Sequence, residues 1–137
     1  MKYLFLILFT LLNKSCNMES NINSQFHLEP EVAQGEDYTI YPVVKKKLQN
    51  EKVLYTVDLE IKQKNESATI KNVSVALYDP EGVPFTIMQN EKKLYEVSDG
   101  LGKTSTYQYI FSSGTHIGKP DELKISIKNT EHTFKIK

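Results

Sequence analysis

The residues able to do chemistry in this chain of 137 are few and scattered. The most suggestive stretch is Val97-Ser-Asp-Gly-Leu-Gly102-Lys103-Thr104, which ends in Gly-Lys-Thr as a phosphate-binding loop does. Such a loop needs another glycine five residues before Gly102, and a helix after the lysine whose N-terminus meets the phosphates. Val97 stands at the first position and a Thr/Tyr-rich strand pattern follows, so the stretch reads as a turn and no nucleotide is expected. His27, His116 and His132 lie far apart, and none has a second ligand at helical spacing, so no metal is expected either. His116 belongs to the loop Ser112 to Pro120, where Thr115, His116 and Lys119 are candidate recognition residues, because loops on a rigid scaffold often carry binding. The plain alternative is a solvated loop. Asp58 and Glu60 would share one strand face about 7 Å apart, which suits a solvated stripe balanced by Lys62 better than an acid–base pair. With no Gly-x-Ser-x-Gly element, no catalytic residue, cofactor or enzymatic activity is expected.

Charge narrows the partners further. Lys+Arg and Asp+Glu both number 17, a formal net charge of zero, so no basic field exists to attract nucleic acid. Every basic residue is lysine, and the planar arginine fork that grips phosphates and carboxylates is missing. A single cysteine excludes an intrachain disulfide and a thiolate-built zinc cluster.

That cysteine, Cys16, follows a distinctive leader. Lys2 supplies a positive start, and Tyr3 to Leu12 is an apolar run broken only by Thr10. The run is half the roughly 20 residues a membrane span needs but matches a secretory core of roughly 7–15. Asn13, Lys14, small Ser15 and Cys16 come next. Ser15-Cys16 after such a core resembles the lipobox of bacterial lipoproteins, in the looser form common among Bacteroidetes and spirochaetes; Asn13 and Lys14 depart from the stricter pattern. The resemblance implies removal of residues 1–15 and lipid attachment, palmitate included, at Cys16. It places the protein on the cell envelope, at the outer membrane, facing the periplasm or the surface. A plain signal peptide or an uncleaved anchor are the other readings. Cleavage leaves 137 − 15 = 122 residues with 17 − 2 = 15 lysines against 17 acids. Residues 16–36 read as the lipidated N-terminus and a flexible polar tether.

Residues 37–137 alternate with period two, the mark of strands with one dry and one wet face. Val53, Tyr55, Val57, Leu59 and Ile61 share one face, while Thr56, Asp58, Glu60 and Lys62 share the other. Turn-forming clusters such as Asp79-Pro80-Glu81-Gly82 and Ser98-Asp99-Gly100 divide about eight strands: 37–47, 52–63, 70–78, 84–88, 93–97, 104–112, 122–128 and 132–137. No window carries a helical stripe. Short alternating strands between turn signals predict an all-β, antiparallel sandwich of about seven to eight strands.

Leu101 precedes Tyr107 by six residues, with Tyr109 and Phe111 alternating beyond. This resembles the E–F corner of fibronectin type III and other immunoglobulin-like domains. The resemblance implies that the Tyr107 hydroxyl bonds back to backbone near Leu101 and pins a crossover between sheets. Otherwise Tyr107 is a core aromatic in another β topology. The expected function is a non-catalytic binding or scaffolding module for a protein or glycan partner, anchored in the envelope. The alternative is a periplasmic inhibitor or immunity lipoprotein that blocks a toxin or hydrolase.

Overall fold

A computed structural model describes residues 24–65, 70, 72–113 and 119–137. The leader 1–15, Cys16, Thr115 and His116 lie outside the described residues. Two antiparallel sheets face each other across one apolar core, and no helix occurs among the described residues. Three two-residue strands come first: β1 (Ser24–Gln25), β2 (Leu28–Glu29) and β3 (Ala33–Gln34). Seven longer ones follow: β4 (Tyr38–Gln49), β5 (Lys52–Gln63), β6 (Ser74–Tyr78), β7 (Thr86–Ser98), β8 (Lys103–Ser112), β9 (Glu122–Ile127) and β10 (Thr130–Ile136).

The first sheet runs β1-β4-β5-β8-β7, with β3 also on β4, and the second runs β2-β10-β9-β6. For the seven long strands, β4-β5-β8-β7 against β10-β9-β6 is the ABED/GFC order of a constant-type immunoglobulin sandwich. The alternation in β5 works as the sequence implies. Val57, Leu59 and Ile61 are buried against Leu77, Leu123, Ile125, Ile127 and Phe134 of the other sheet, and Asp58, Glu60 and Lys62 line the outer face. The β4–β5 hairpin turns at Asn50 and Glu51, both at positive φ (51° and 64°), as a tight turn matching strand twist requires.

Three expectations change. First, residues 84–88 and 93–97 are not two strands. They belong to β7, a 13-residue edge strand that absorbs the polar interruption Gln89 to Lys92 through register shifts between Ile87 and Gln89, Gln89 and Lys92, and Lys93 and Tyr95. Second, merging them moves Tyr107 from the sixth strand to the fifth. Leu101 and Tyr107 therefore sit on the β7–β8 hairpin within one sheet, not on a crossover between sheets. Leu101 is 86% exposed, and Tyr107 packs against the core from β8, so the corner role does not apply. Third, the sandwich begins before residue 37. Leu28 is buried and pairs with Ile136, Lys137 N–H donates to the His27 carbonyl (2.8 Å), and Phe26 N–H donates to Val44 (2.9 Å). Polar composition hid this because each of β1, β2 and β3 borrows its ladder bonds from a longer strand instead of supplying its own apolar face.

Candidate functional site

The two ends of the sandwich differ, and strand direction determines which residues fall at each. Lys46 pairs with Ser24, so the chain enters beside the C-terminal end of β4. Tyr38, at the start of β4, pairs with Gln63; Gln63 pairs with Lys103 and Lys103 with Ser98. The β7–β8 hairpin therefore caps the far end, about 8 residues of β4, or about 26 Å, from the entry point.

At that far end the hairpin is built tightly. The Asp99 carboxylate accepts the Leu101 and Gly102 N–H groups, both at 3.0 Å, and Asp99 N–H donates to the Gly102 carbonyl at 3.2 Å. Gly100 adopts φ +84°, the left-handed region glycine favours. A side-chain carbon on Gly102 would strike the Gln63 carbonyl oxygen of β5. The glycines of Gly-Leu-Gly-Lys-Thr thus serve a hairpin, and Lys103 is an ion-pair partner. Its Nζ lies 3.0 Å from Glu96 Oε1, which also meets Lys93 Nζ at 2.8 Å and accepts from the Ser105 hydroxyl at 3.2 Å. Bonds from Lys93, then Lys103 and Ser105, pull the Glu96 carboxyl down to about 2 from its usual 4.5.

This charged clasp fixes the hairpin while leaving apolar side chains in solvent. Leu94, Tyr95 and Val97 on β7 are about half exposed, and Leu101 stands at the tip. Tyr95 pairs with Thr106 and Val97 with Thr104, which puts both on the outer face of the sheet. β7 is the sheet's last strand, and among the described residues nothing pairs with its free edge. From Tyr95 to Ser98 the pairing with β8 is regular. The shifts before Tyr95 break it, so a continuous added strand could not run the full length of β7.

Other candidates are dispersed. Asp58 accepts from the Gln108 amide at 3.1 Å, and Glu60 lies 3.7 Å from Lys62. Asp58, Thr56, Gln108, Gln25, Lys45 and Lys47 line a shallow polar depression of about 330 Å³. His27 lies 3.6 Å from Glu31, whereas His132 bridges the sheets: its Nε2 is 2.8 Å from the Tyr38 hydroxyl, and burial holds the imidazole below its usual range. No three His, Cys, Asp or Glu side chains cluster as metal ligands among the described residues. Of the three candidate recognition residues only Lys119 is described, and it is exposed; Thr115 and His116 fall within 114–118, outside the described residues. The apolar tip was missed from sequence because Leu94, Val97 and Leu101 read as ordinary strand and corner positions. Only the placement of β7 at an edge exposes them.

No family model, characterised protein or solved structure matches this chain.

Proposed function

We propose that this is an envelope lipoprotein, anchored at Cys16, that acts as a non-catalytic binding module for a protein partner. The observation that carries the reading is the exposed apolar group Leu94, Tyr95, Val97 and Leu101, held on a pinned hairpin at the end opposite the chain's entry. A module tethered by its N-terminus presents that end outward. Pre-ordering lowers the entropy lost on binding, and an exposed tyrosine among apolar side chains suits the more apolar, aromatic-enriched core of an interface. A protein fits better than a glycan, because three of the four exposed groups are aliphatic and carry no donor or acceptor for sugar hydroxyls.

Two measurements test this. Cys16→Ala should release the protein from membranes washed in 0.5 M salt and abolish metabolic labelling with palmitate; retention after that wash refutes the anchor. Crosslinked capture from envelope extract should enrich a partner with the wild-type chain and lose it with Tyr95→Ala/Val97→Asp. Equal capture by both would sink the docking surface.

A further inference from the structure

The entry end of the sandwich carries a second, differently built surface. The hairpin from residue 45 to residue 52 holds Lys45, Lys46, Lys47 and Lys52 against a single acid, Glu51. Six lysines elsewhere, Lys62, Lys93, Lys103, Lys124, Lys135 and Lys137, each meet a carboxylate within 4 Å, and the remaining described ones, Lys64, Lys92, Lys119 and Lys128, are scattered singly along the sequence. The four hairpin lysines meet none among the described residues. At the same end of the second sheet, Asp121, Glu122 and Glu29 are engaged by Lys135 and Lys137, and the Asp79 carboxylate accepts the Glu81 and Val83 N–H groups of its own turn, which leaves Glu81 as the exposed acid there, on the other sheet from the lysine hairpin.

Apolar side chains accompany these lysines. Leu48 is exposed on the hairpin itself. Lys47 pairs with Leu54, Leu54 with Ser112 and Ser112 with Thr86, so exposed Ile87 and Met88 begin three strands over, about 14 Å away. Unpaired cations beside protruding aliphatic groups make a surface that meets anionic headgroups with its charges and the upper acyl region with its apolar chains.

The chain's path gives this surface its occupant. β1 runs antiparallel to β4, with Gln25 on Lys45 and Ser24 on Lys46, so the described chain starts at this lysine end of the sandwich. Cys16 precedes Ser24 by 24 − 16 = 8 residues, which span at most about 28 Å when fully extended. We infer that the Lys45–Lys47 end of the sandwich docks on an anionic phospholipid surface and holds the domain upright on its membrane. The inference rests on the anchor reading for its orientation, and it is tested apart from it.

The test uses the full chain carrying Cys16→Ala, mixed with vesicles of phosphatidylcholine alone or with one quarter phosphatidylglycerol. The leader, with its own Lys2 and Lys14, is common to every variant, so the comparison of the parent with the hairpin triple variant isolates Lys45, Lys46 and Lys47. At low salt the chain should favour the anionic vesicles. Lys45→Gln/Lys46→Gln/Lys47→Gln should cut that preference at least tenfold, since each lysine near an anionic surface contributes about fivefold. In 0.5 M salt the preference should vanish for both, because charges are then screened within a few ångström. Leu48→Gln should weaken binding while keeping the salt dependence. Circular dichroism of the triple variant, whose lysines are exposed or half-exposed, should match the parent. No difference between vesicle types, or an unchanged preference in the triple variant, overturns the inference and leaves the anchor untouched. Tighter binding to a soluble acidic protein or nucleic acid than to anionic vesicles overturns it as well. Retention of Cys16→Ala in cell membranes after a 0.5 M salt wash, which removes lysine-mediated docking, refutes the anchor separately.

Discussion

Gly102→Ala is the substitution that probes the tip most directly, because the added methyl has nowhere to go. Its nearest neighbour would be the Gln63 carbonyl oxygen, closer than real carbon–oxygen contacts, with the Gln63 and Lys64 carbonyl carbons at 3.4 and 3.8 Å. These are backbone atoms and cannot rotate aside. Either the hairpin lifts off β5 or the Gln63–Lys103 ladder pair opens. Overpacking of this kind costs about 1–3 kcal/mol. With a urea slope of about 2 kcal/mol/M, a loss of about 2 kcal/mol moves the unfolding midpoint down by about 1 M. Gly100→Ala is the matched control: φ +84° penalises any side chain, but nothing lies within 4 Å. It should lose only about 1 kcal/mol, or about 0.5 M. Urea titration followed by far-ultraviolet circular dichroism measures both. A midpoint for Gly102→Ala equal to or above that of Gly100→Ala would show that the hairpin does not press on β5. The pinned presentation of Leu101 would then fall.

Two further outcomes follow from the same geometry. The Glu96 carboxyl should titrate near 2 by carbon-13 NMR, and its contribution to stability should be complete above about 4.5 and disappear as pH falls toward 2. The sign follows from the unfolded chain binding the proton first. Glu96→Gln should flatten that slope, whereas a wild-type midpoint at 4.5 would mean the Lys93–Glu96–Lys103 clasp does not form in solution. Leu59→Ala, fully buried between the sheets, should cost about 3 kcal/mol in the same urea assay, and a change under 1 kcal/mol would contradict the packing of β5.

Why some of this was legible in the sequence follows from what each strand must do alone. β5 lies between two paired neighbours with one face in the core, so its side chains have to alternate, and Lys52–Gln63 matches the expected boundaries at both ends. β7 is under no such constraint. At an edge with both faces largely in solvent, it tolerates Gln89-Asn90-Glu91-Lys92, which breaks the apolar pattern between 84–88 and 93–97 although the backbone stays extended through its bulges. The misplaced corner is a consequence: one false break shifted the count of strands and carried Tyr107 into the wrong position. The residues of β1 to β3 escaped notice for a related reason, since two-residue strands have no periodicity to detect. The candidate tip was invisible because exposure of Leu94 and Val97 depends on which strand closes the sheet. That is a property of the whole topology and not of any window.

The same topology explains how one small domain can carry two surfaces without their interfering. β4 and β5 hold Lys46 and Gln63 at opposite ends of one hairpin, and β8 transmits that separation to β7 through an unbroken ladder from Leu54–Ser112 to Gln63–Lys103. β7 therefore spans both ends: Ile87 and Met88 stand near the lysines, and Leu94, Tyr95 and Val97 stand near the tip. Between them lie the register shifts and the charged run Glu91-Lys92-Lys93. A straight apolar edge of 13 residues would be a template for pairing with other chains. Bulges and lysines at its centre divide it into two short apolar segments, each too small to recruit a strand on its own and each adjacent to a different kind of neighbour. Under the two proposals above, the polar interruption that disguised β7 in the sequence is what would keep a membrane-docking end apart from a partner-binding one.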